Sequence, residues 1–215
     1  MCYKPLNNYL LFIDTEATDL PKDWTKPFDT PGNWPYAVQI SWVVYDKHHV
    51  EVKREDHYIN IGKDVEITDA ALKIHGITPT YLDQHGHDIK QVLQLFIDDI
   101  TFYNPLVIGH FIKLDYYVLA AELFRAGMPN ILKDKPVFCT MIASHEMVQS
   151  PMPRQLRLDE FYHLLFYKDL IHPHNALYDA KHAADCYFEL IDRGEITPKI
   201  VEQQNLRSYH WRNLL

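Results

Sequence analysis

The sequence predicts a layered α/β domain in which helices cover a mixed β-sheet. The first third is rich in β-branched and aromatic residues and predicts strands at residues 9–14, 37–46 and 52–61. The remainder combines helical spacing of apolar residues with one further apolar strand at residues 105–109. Because the 215 residues contain no internal repeat and no low-complexity tract, we expect one domain over residues 1–215.

Helices are predicted where apolar residues recur at helical spacing and where capping residues mark the ends. The clearest is short, beginning at the Thr68 cap and ending at Gly76. Further helices are predicted over residues 88–102, 114–126, 155–167 and 176–193, and residues 137–148 fit either a strand or a helix. The apolar strand at 105–109 and the helix after it predict a βα unit.

Composition limits the functional classes that remain. The three cysteines, Cys2, Cys139 and Cys186, include no C-x-x-C pair, so we expect neither a disulfide framework nor a thiolate metal site. No secretory signal and no membrane-spanning apolar run is present, which predicts a cytoplasmic protein without membrane contact. The net charge of −8 argues against broad attraction to nucleic acid, but an enzyme that gathers acids to hold cations is compatible with it.

The stretch LLFIDTEATDL at residues 10–20 leads from a buried apolar strand directly into two acids, Asp14 and Glu16. The simplest structural explanation is that the strand ends at Asp14 in a solvated turn. The functional alternative is a cation held between the two carboxylates. Because side chains alternate along a strand, both acids are expected on one face, at the sheet edge where α/β folds bind ligands.

Two other acids have a similar predicted placement. Asp115 and Asp179 each lie near the start of a predicted helix, where a single acid often only complements the helix dipole. As a set with Asp14 and Glu16, they predict a site for Mg²⁺ or Mn²⁺, because hard carboxylate oxygens suit those ions. His174, five residues before Asp179, is a candidate general base, although His172 and His182 are close alternatives.

The order of these motifs resembles the DEDDh, or DnaQ-like, family of 3'-5' exonucleases, which has the ribonuclease H-like fold. FIDTEATDL is similar to the family's D-x-E-T-T-G-L, VIGHFIKLDYYVL to H-N-x-x-F-D-x-x-x-L, and HNALYDAKHAADCYFEL to H-x-A-x-x-D-A. KIHGIT and RLDEF also occur where family members often carry related segments. The resemblance covers residues 9 to about 193 and implies a three-layer fold with a mixed central sheet flanked by helices.

The resemblance implies a role for each of these residues. Two divalent ions, Mg²⁺ or Mn²⁺, would be held by Asp14, Glu16, Asp115 and Asp179, and His174 would activate the attacking water. The expected reaction is hydrolysis at the 3' end of single-stranded or frayed DNA or RNA, which releases nucleoside 5'-monophosphates. Residues following Glu16, namely Ala17, Thr18 and Leu20, are expected to approach the 3'-terminal nucleotide.

Three positions depart from the family pattern. Ala17 replaces a threonine, Asp19 replaces a glycine, and Phe111 replaces an asparagine. None of them removes an expected metal ligand or the base, but Asp19 adds negative charge near the expected phosphate path. Asp19, Phe111 and the acidic surface support an alternative hypothesis, a catalytically weakened nucleic-acid binding module on the same fold.

The loop at residues 21–36 is rich in proline and aromatic residues. One interpretation is a platform on which unpaired terminal bases stack, with Trp24 as the candidate contact. The other is that its aromatic residues pack the loop against the body of the protein. The sequence identifies no partner protein, and it leaves open both a homodimer and a polymerase-type partner.

Overall fold

The structure, a computed structural model, describes residues 7–145, 147–149 and 152–212. The strands are β1 (Tyr9–Ala17), β2 (Ala37–Asp46), β3 (Glu51–Tyr58), β4 (Leu106–Gly109) and β5 (Val137–Cys139). The helices are α1 (Asp69–His75), α2 (Pro79–His85), α3 (Ile89–Tyr103), α4 (Ile112–Ala126), α5 (Thr140–Ala143), α6 (Leu158–Phe166), α7 (Ala176–Asp192) and α8 (Pro198–Arg212). No described helix combines the length and the hydrophobicity that crossing a membrane requires.

The five strands form one mixed sheet in the order β3-β2-β1-β4-β5. The central strand β1 is antiparallel to β2 and parallel to β4, and β4 is parallel to β5. Helices cover both faces, so the predicted three-layer α/β fold is confirmed. The site described below lies at the carboxyl end of β1.

Alternation along β1 divides the core into two layers. Leu11 and Ile13 face the layer that contains α3 and α4, and Leu10 and Phe12 face the layer that contains α6 and α7. All four of these side chains are buried, which is why this part of the strand is continuously apolar. The same alternation decides which helix each later residue of β1 can reach.

Most predicted elements are present, with shifted ends and two additions. The cap of α1 is confirmed, because the Thr68 hydroxyl accepts a hydrogen bond from the Ala71 N–H and Gly76 ends the helix at φ 70°. The ambiguous region after residue 136 contains both elements, the short strand β5 and the helix α5. The helices α2 and α8 were not predicted, so α7 is not the last helix.

Two of the three cysteines lie within the described residues. Cys139 and Cys186 are free and buried. Cys2 lies outside the described residues.

Helix α8 covers the β5 edge of the sheet. The Gln204 side-chain oxygen accepts a hydrogen bond from the Cys139 N–H at 2.9 Å, and the Asn205 side-chain oxygen accepts one from the Val137 N–H at 3.2 Å. These amides satisfy donors that an edge strand would otherwise present to solvent or to another chain.

Gln39 ties the start of α7 to the sheet. Its side chain is fully buried on β2, where its oxygen accepts a hydrogen bond from the Ala176 N–H at 3.1 Å. Its amide nitrogen donates to Asp56 on β3 at 2.8 Å. Because Ala176 is the first residue of α7, this contact positions the segment that carries both His174 and Asp179.

We predict that Gln39→Leu lowers the free energy of unfolding by about 1–3 kcal/mol, because the Ala176 N–H is left buried without a partner. Chemical denaturation monitored by circular dichroism measures this change. Gln94→Leu is the matched control, since Gln94 is exposed on α3 and its side-chain amide donates to exposed Asp98; a change within about 0.5 kcal/mol is expected for it. Equal effects of the two variants would contradict the prediction.

Candidate active site

The site exists because β1 is longer than its parallel neighbour. Pairing with β4 covers only Leu10 to Phe12, so the end of β1 extends beyond β4. In this gap the backbone N–H of Thr15 donates to Asp115 Oδ1 on α4 at 2.9 Å, and the Thr15 hydroxyl donates to the same oxygen at 2.9 Å. A buried carboxylate of α4 therefore occupies the position where a longer β4 would pair.

Gly109 allows α4 to approach this closely. A β-carbon at this position would lie 2.9 Å from Ile112 Cδ1, 3.0 Å from the Ile13 carbonyl oxygen and 3.4 Å from Asp115 Oδ2. The end of β4 therefore needs a residue without a side chain.

Three carboxylates lie close together on the opposite face of β1, the face that does not contact α4. Asp14 and Glu16 alternate onto the face of β1 that α7 covers, and Asp179 lies in the first turn of α7. One carboxylate oxygen from each of the three lies within 4.8 Å of the others. Strand β1 continues past Asp14 to Ala17. The interpretation that the strand ends at Asp14 in a solvated turn is therefore wrong.

Asp115 does not belong to this three-residue cluster, but it acts on it electrostatically. Burial raises the pKa of Asp14 well above its usual value, and the negative charges of Asp115, Asp179 and Glu16 raise it further. Burial, followed by the charges of Asp179 and Asp115, raises the pKa of Glu16 to about 8. Burial also raises the pKa of Asp115 to about 7, although the hydrogen bonds from Thr15 act in the opposite direction.

These observations fit a site for hard divalent cations. Asp179 Oδ2 accepts a hydrogen bond from the His174 backbone N–H at 3.0 Å, but its Oδ1 is buried and has no hydrogen-bond partner among the described residues. His182 Nδ1, buried 3.8 Å away and also without a hydrogen bond, is too distant to satisfy that oxygen. A cluster of carboxylate oxygens with one unsatisfied buried oxygen is the arrangement that Mg²⁺ or Mn²⁺ stabilises.

Of the three candidate histidines, His174 lies in the wall of the site. It is exposed and lines, with Asp14, Glu16 and Asp179, a cleft of about 590 Å³. The next residue, Asn175, caps α7 and donates to the Tyr58 hydroxyl at 3.3 Å. His182 is buried against Tyr162, and His172 is exposed beside Tyr178, with neither lining the cleft.

Two residues to which the sequence analysis assigned no role also shape the cleft. His110 is buried, with Nδ1 2.9 Å from the Thr140 hydroxyl and Nε2 3.0 Å from the Leu156 carbonyl oxygen. Burial lowers the pKa of His110 to about 4, so it is neutral and acts as a link between β4, α5 and the segment before α6. Thr15 is the second such residue. Its position in the sequence between Asp14 and Glu16 is the signal that could have identified it.

Phe111 occupies a strained position in the wall of the cleft. It has φ 70° and ψ 38°, a left-handed conformation that an asparagine adopts more readily than a phenylalanine. Such strain costs about 1–3 kcal/mol and is concentrated at functional sites. Its ring packs against Trp24 with a centroid distance of 5.4 Å.

The expected substrate contacts have different environments. Ala17 is partly buried at the end of β1, and Leu20 is 61% exposed. Thr18 is buried, and its backbone N–H donates to the Tyr36 carbonyl while its own carbonyl accepts from the Thr68 N–H. The backbone groups of Thr18 therefore have partners within the protein, and a substrate contact at all three residues stays a prediction.

The aromatic loop packs against the body of the protein. The Trp34 ring stacks on Tyr117 with a centroid distance of 4.4 Å, and its indole N–H donates to the Pro27 carbonyl at 2.8 Å. Trp24 is partly buried between Trp34 and Phe111. The packing interpretation thus describes the loop, and a contact of Trp24 with substrate stays a prediction.

With this geometry established, comparison with known proteins identifies the family. The Exonuclease family profile matches residues 11–187. This chain belongs to the exonuclease family. The resemblance to DEDDh, or DnaQ-like, exonucleases is thereby confirmed. No curated protein matches the sequence.

Solved exonuclease structures share the fold. A 3'-exonuclease in a structure of 3'-end-specific recognition of a histone mRNA stem-loop has a TM-score of 0.69 and 18% identity, over 88% of this chain and 65% of that one. A structure of exonuclease I has a TM-score of 0.72 and 14% identity, over 91% of this chain and 43% of that one. E. coli exonuclease I in complex with a dA16 oligonucleotide has a TM-score of 0.68 and 15% identity, over 91% and 42%. This chain thus spans roughly two fifths to two thirds of the solved chains it matches.

The raised pKa values predict a pH-dependent stability to which Asp14, Glu16 and Asp115 all contribute. Because the pKa of Glu16 is about 8 in the folded protein and near 4.5 when unfolded, the metal-free protein loses stability as the pH rises between these values. Glu16→Gln removes the part of this loss that comes from Glu16, and we expect it to raise Tm at pH 8.5 by at least 2–4 °C, about the effect of 1 kcal/mol in a domain of this size. Thermal unfolding in EDTA at pH 5.5 and 8.5 measures it.

Added Mg²⁺ is expected to raise Tm at pH 8.5 for the wild type and less for Glu16→Gln, because the variant lacks one carboxylate. Glu202→Gln, which removes an exposed carboxylate from α8, is the control and is expected to leave both quantities unchanged. A Glu16→Gln variant with wild-type stability at both pH values would contradict this account of the site.

Proposed function

We propose that this protein is a metal-dependent 3'-5' exonuclease. It hydrolyses phosphodiester bonds at the 3' end of single-stranded or frayed DNA or RNA and releases nucleoside 5'-monophosphates. The observation that carries the proposal is the convergence of Asp14, Glu16 and Asp179 within 4.8 Å, in a chain that belongs to the exonuclease family.

Two ions, Mg²⁺ or Mn²⁺, would be held by the carboxylates of Asp14, Glu16, Asp115 and Asp179. When bound, such ions activate water at neutral pH and offset negative charge on the attacking and leaving oxygens. The protein contributes the positions of the carboxylates. Thr15 fixes Asp115 by two hydrogen bonds, and the His174 backbone N–H fixes Asp179 by one.

His174 is the proposed general base, which accepts a proton from the attacking water. Its exposed side chain lies in the wall of the cleft that contains the acids. The anchored start of α7 supports this role, because Gln39 and Tyr58 hold the two residues that follow His174.

A second candidate function is a nucleic-acid binding module with weakened catalysis. It is favoured by Phe111, an aromatic residue in a strained left-handed conformation where the family pattern has asparagine, and by Asp19, an added acid after β1. Binding of oligonucleotides without release of mononucleotides would support this alternative.

We predict that the protein with Mg²⁺ shortens 5'-labelled single-stranded oligomers one nucleotide at a time from the 3' end, seen as a ladder of shorter labelled products, and that a blocked 3' hydroxyl stops the shortening. Matched DNA and RNA oligomers identify the preferred sugar. Asp14→Asn should abolish release, because it removes a charged ligand from the centre of the cluster. Absence of release by the wild type with either metal and either oligomer would overturn the proposed activity.

For the general base, we predict that His174→Asn lowers kcat by about 10²- to 10⁴-fold, the usual contribution of a positioned proton acceptor, with little change in the KM for the oligomer. His172→Asn is the matched control, an exposed histidine two residues earlier, and should retain wild-type kcat. Metal affinity, measured by Mn²⁺ titration, should be similar in both variants. Loss of activity through weakened metal binding would instead assign His174 a structural role.

A further inference from the structure

A second cavity adjoins the cleft that contains the acids. It has a volume of about 330 Å³ and lies between the start of α4, β5, α5 and helix α8. We call it the α8 cavity and define it by four of its lining residues, Phe111, Lys113, Arg207 and Trp211. Phe111 and Met141 line both the cleft and the α8 cavity, so the two spaces share a wall. The volume is near the lower end of the range for small-ligand sites, enough for one nucleobase with its phosphate.

The lining of the α8 cavity combines aromatic rings with positive charge. Phe111 and Trp211 contribute the rings, and Lys113 and Arg207 contribute the charge. No described aspartate or glutamate lines it, although the protein has 29 acidic residues and a net charge of −8. The lining of the α8 cavity is therefore positively charged, whereas the chain as a whole is negatively charged.

The two cations have no carboxylate partner in the part of the chain that the structure describes. Among the residues that the structure describes, neither Lys113 nor Arg207 forms an ion pair, whereas Arg154, Arg157 and Arg193 do. Lys113 Nζ lies over the ring of Trp24, 5.4 Å from its centroid, and Arg207 is exposed. Their charges are therefore available to an anionic ligand.

We propose that the α8 cavity binds a nucleotide of the substrate strand on the 5' side of the scissile bond. The base would stack against the aromatic lining, and Lys113 and Arg207 would contact phosphates. Aromatic stacking together with a positive groove is how proteins hold single strands without sequence preference. The inference rests on the proposed function, because a strand whose 3' end lies in the cleft would extend past Phe111 and Met141 into the neighbouring cavity.

The shared wall with the cleft and the positive charge favour a nucleic-acid strand over other occupants. An apolar peptide or lipid would leave the two cations unpaired, whereas each nucleotide brings one phosphate. Beyond the cavity, Arg207 and Gln204 also line a groove of about 980 Å³ between α5, α6, α7 and α8, which gives a longer strand a path onward. The substrate class is thus a single strand of several nucleotides, with a preference over a dinucleotide.

The test is a series of 5'-labelled oligonucleotides from two to eight residues with one common 3' end. For the wild type, kcat/KM should rise with length. In Arg207→Glu, the ratio of octamer to dinucleotide kcat/KM should fall by about tenfold or more, the effect of removing one charge-assisted hydrogen bond. The dependence of octamer binding on salt should also weaken, by about 0.7 in the slope of log K against log salt for each phosphate that the variant no longer neutralises.

Lys199→Glu is the matched control, since it reverses an exposed cation on the same helix that lines neither space. It should leave the length dependence unchanged. A wild type without length dependence, or equal effects of Arg207→Glu and Lys199→Glu, would overturn the proposal. Circular dichroism of the variants excludes unfolding as the cause.

Free nucleoside 5'-monophosphate offers the same chemistry from another source. If the cavity served a free nucleotide, the monophosphate would inhibit the wild type, Arg207→Glu would relieve that inhibition, and the octamer preference would remain; that result would overturn the proposal. Failure of the proposed function is distinguishable, because binding of a fluorescent octamer in Ca²⁺ is measured without turnover. A wild type that binds the octamer through Arg207 but releases nothing would support the cavity and refute the activity.

Discussion

The structure depends on how four negative charges are held together at the end of one strand. Asp14, Glu16, Asp115 and Asp179 are buried or partly buried, and burial of unpaired carboxylates is among the costliest arrangements in a folded protein. The protein compensates with hydrogen bonds where it can, two to Asp115 and one to Asp179. Burial raises the pKa values of Asp14, Glu16 and Asp115, and the charges of neighbouring acids raise those of Asp14 and Glu16 further. A bound cation is the simplest group that would stabilise the ionised carboxylates.

The sheet makes this arrangement geometrically unavoidable. Because β1 extends past β4 and its side chains alternate, the even-numbered acids face α7 while the backbone at Thr15 is left for α4 to satisfy. The antiparallel pairing of β1 with β2 has a register irregularity between Glu16 and Ala17, at the level where the site ends. Packing in the core thus positions α4 and α7, and these helices in turn position Asp115 and Asp179.

Sequence patterns predicted the elements whose formation depends on residues close to one another in the sequence. The apolar run before Asp14, the caps of α1 and the apolar spacing of α7 are all present in the structure. Helix α8 was missed because its buried positions, Val201, Gln204, Ser208 and Arg212, follow helical spacing but are mostly polar. Their burial depends on distant partners, such as the Cys139 N–H for Gln204 and backbone carbonyls near β5 for Arg212.

The acids could be selected from the sequence, but the support around them could not. Asp14 and Glu16 were predictable because strand alternation is local, whereas the bond between Thr15 and Asp115 joins residues 100 positions apart. The left-handed backbone conformation of Phe111 could likewise not be predicted from the sequence, because nothing in its own side chain favours that conformation. Residues that position a site through long-range contacts are found only when the fold is known.

The way α8 covers β5 has a practical consequence for handling this protein. Along β3, the opposite edge of the sheet, charged residues such as Lys53, Arg54 and Glu55 discourage pairing with another chain. The β5 edge has no such charges and relies on the amides of Gln204 and Asn205. Shortening the chain before Pro198, or attaching a tag that pulls this helix away, would uncover an apolar strand edge and favour aggregation during expression.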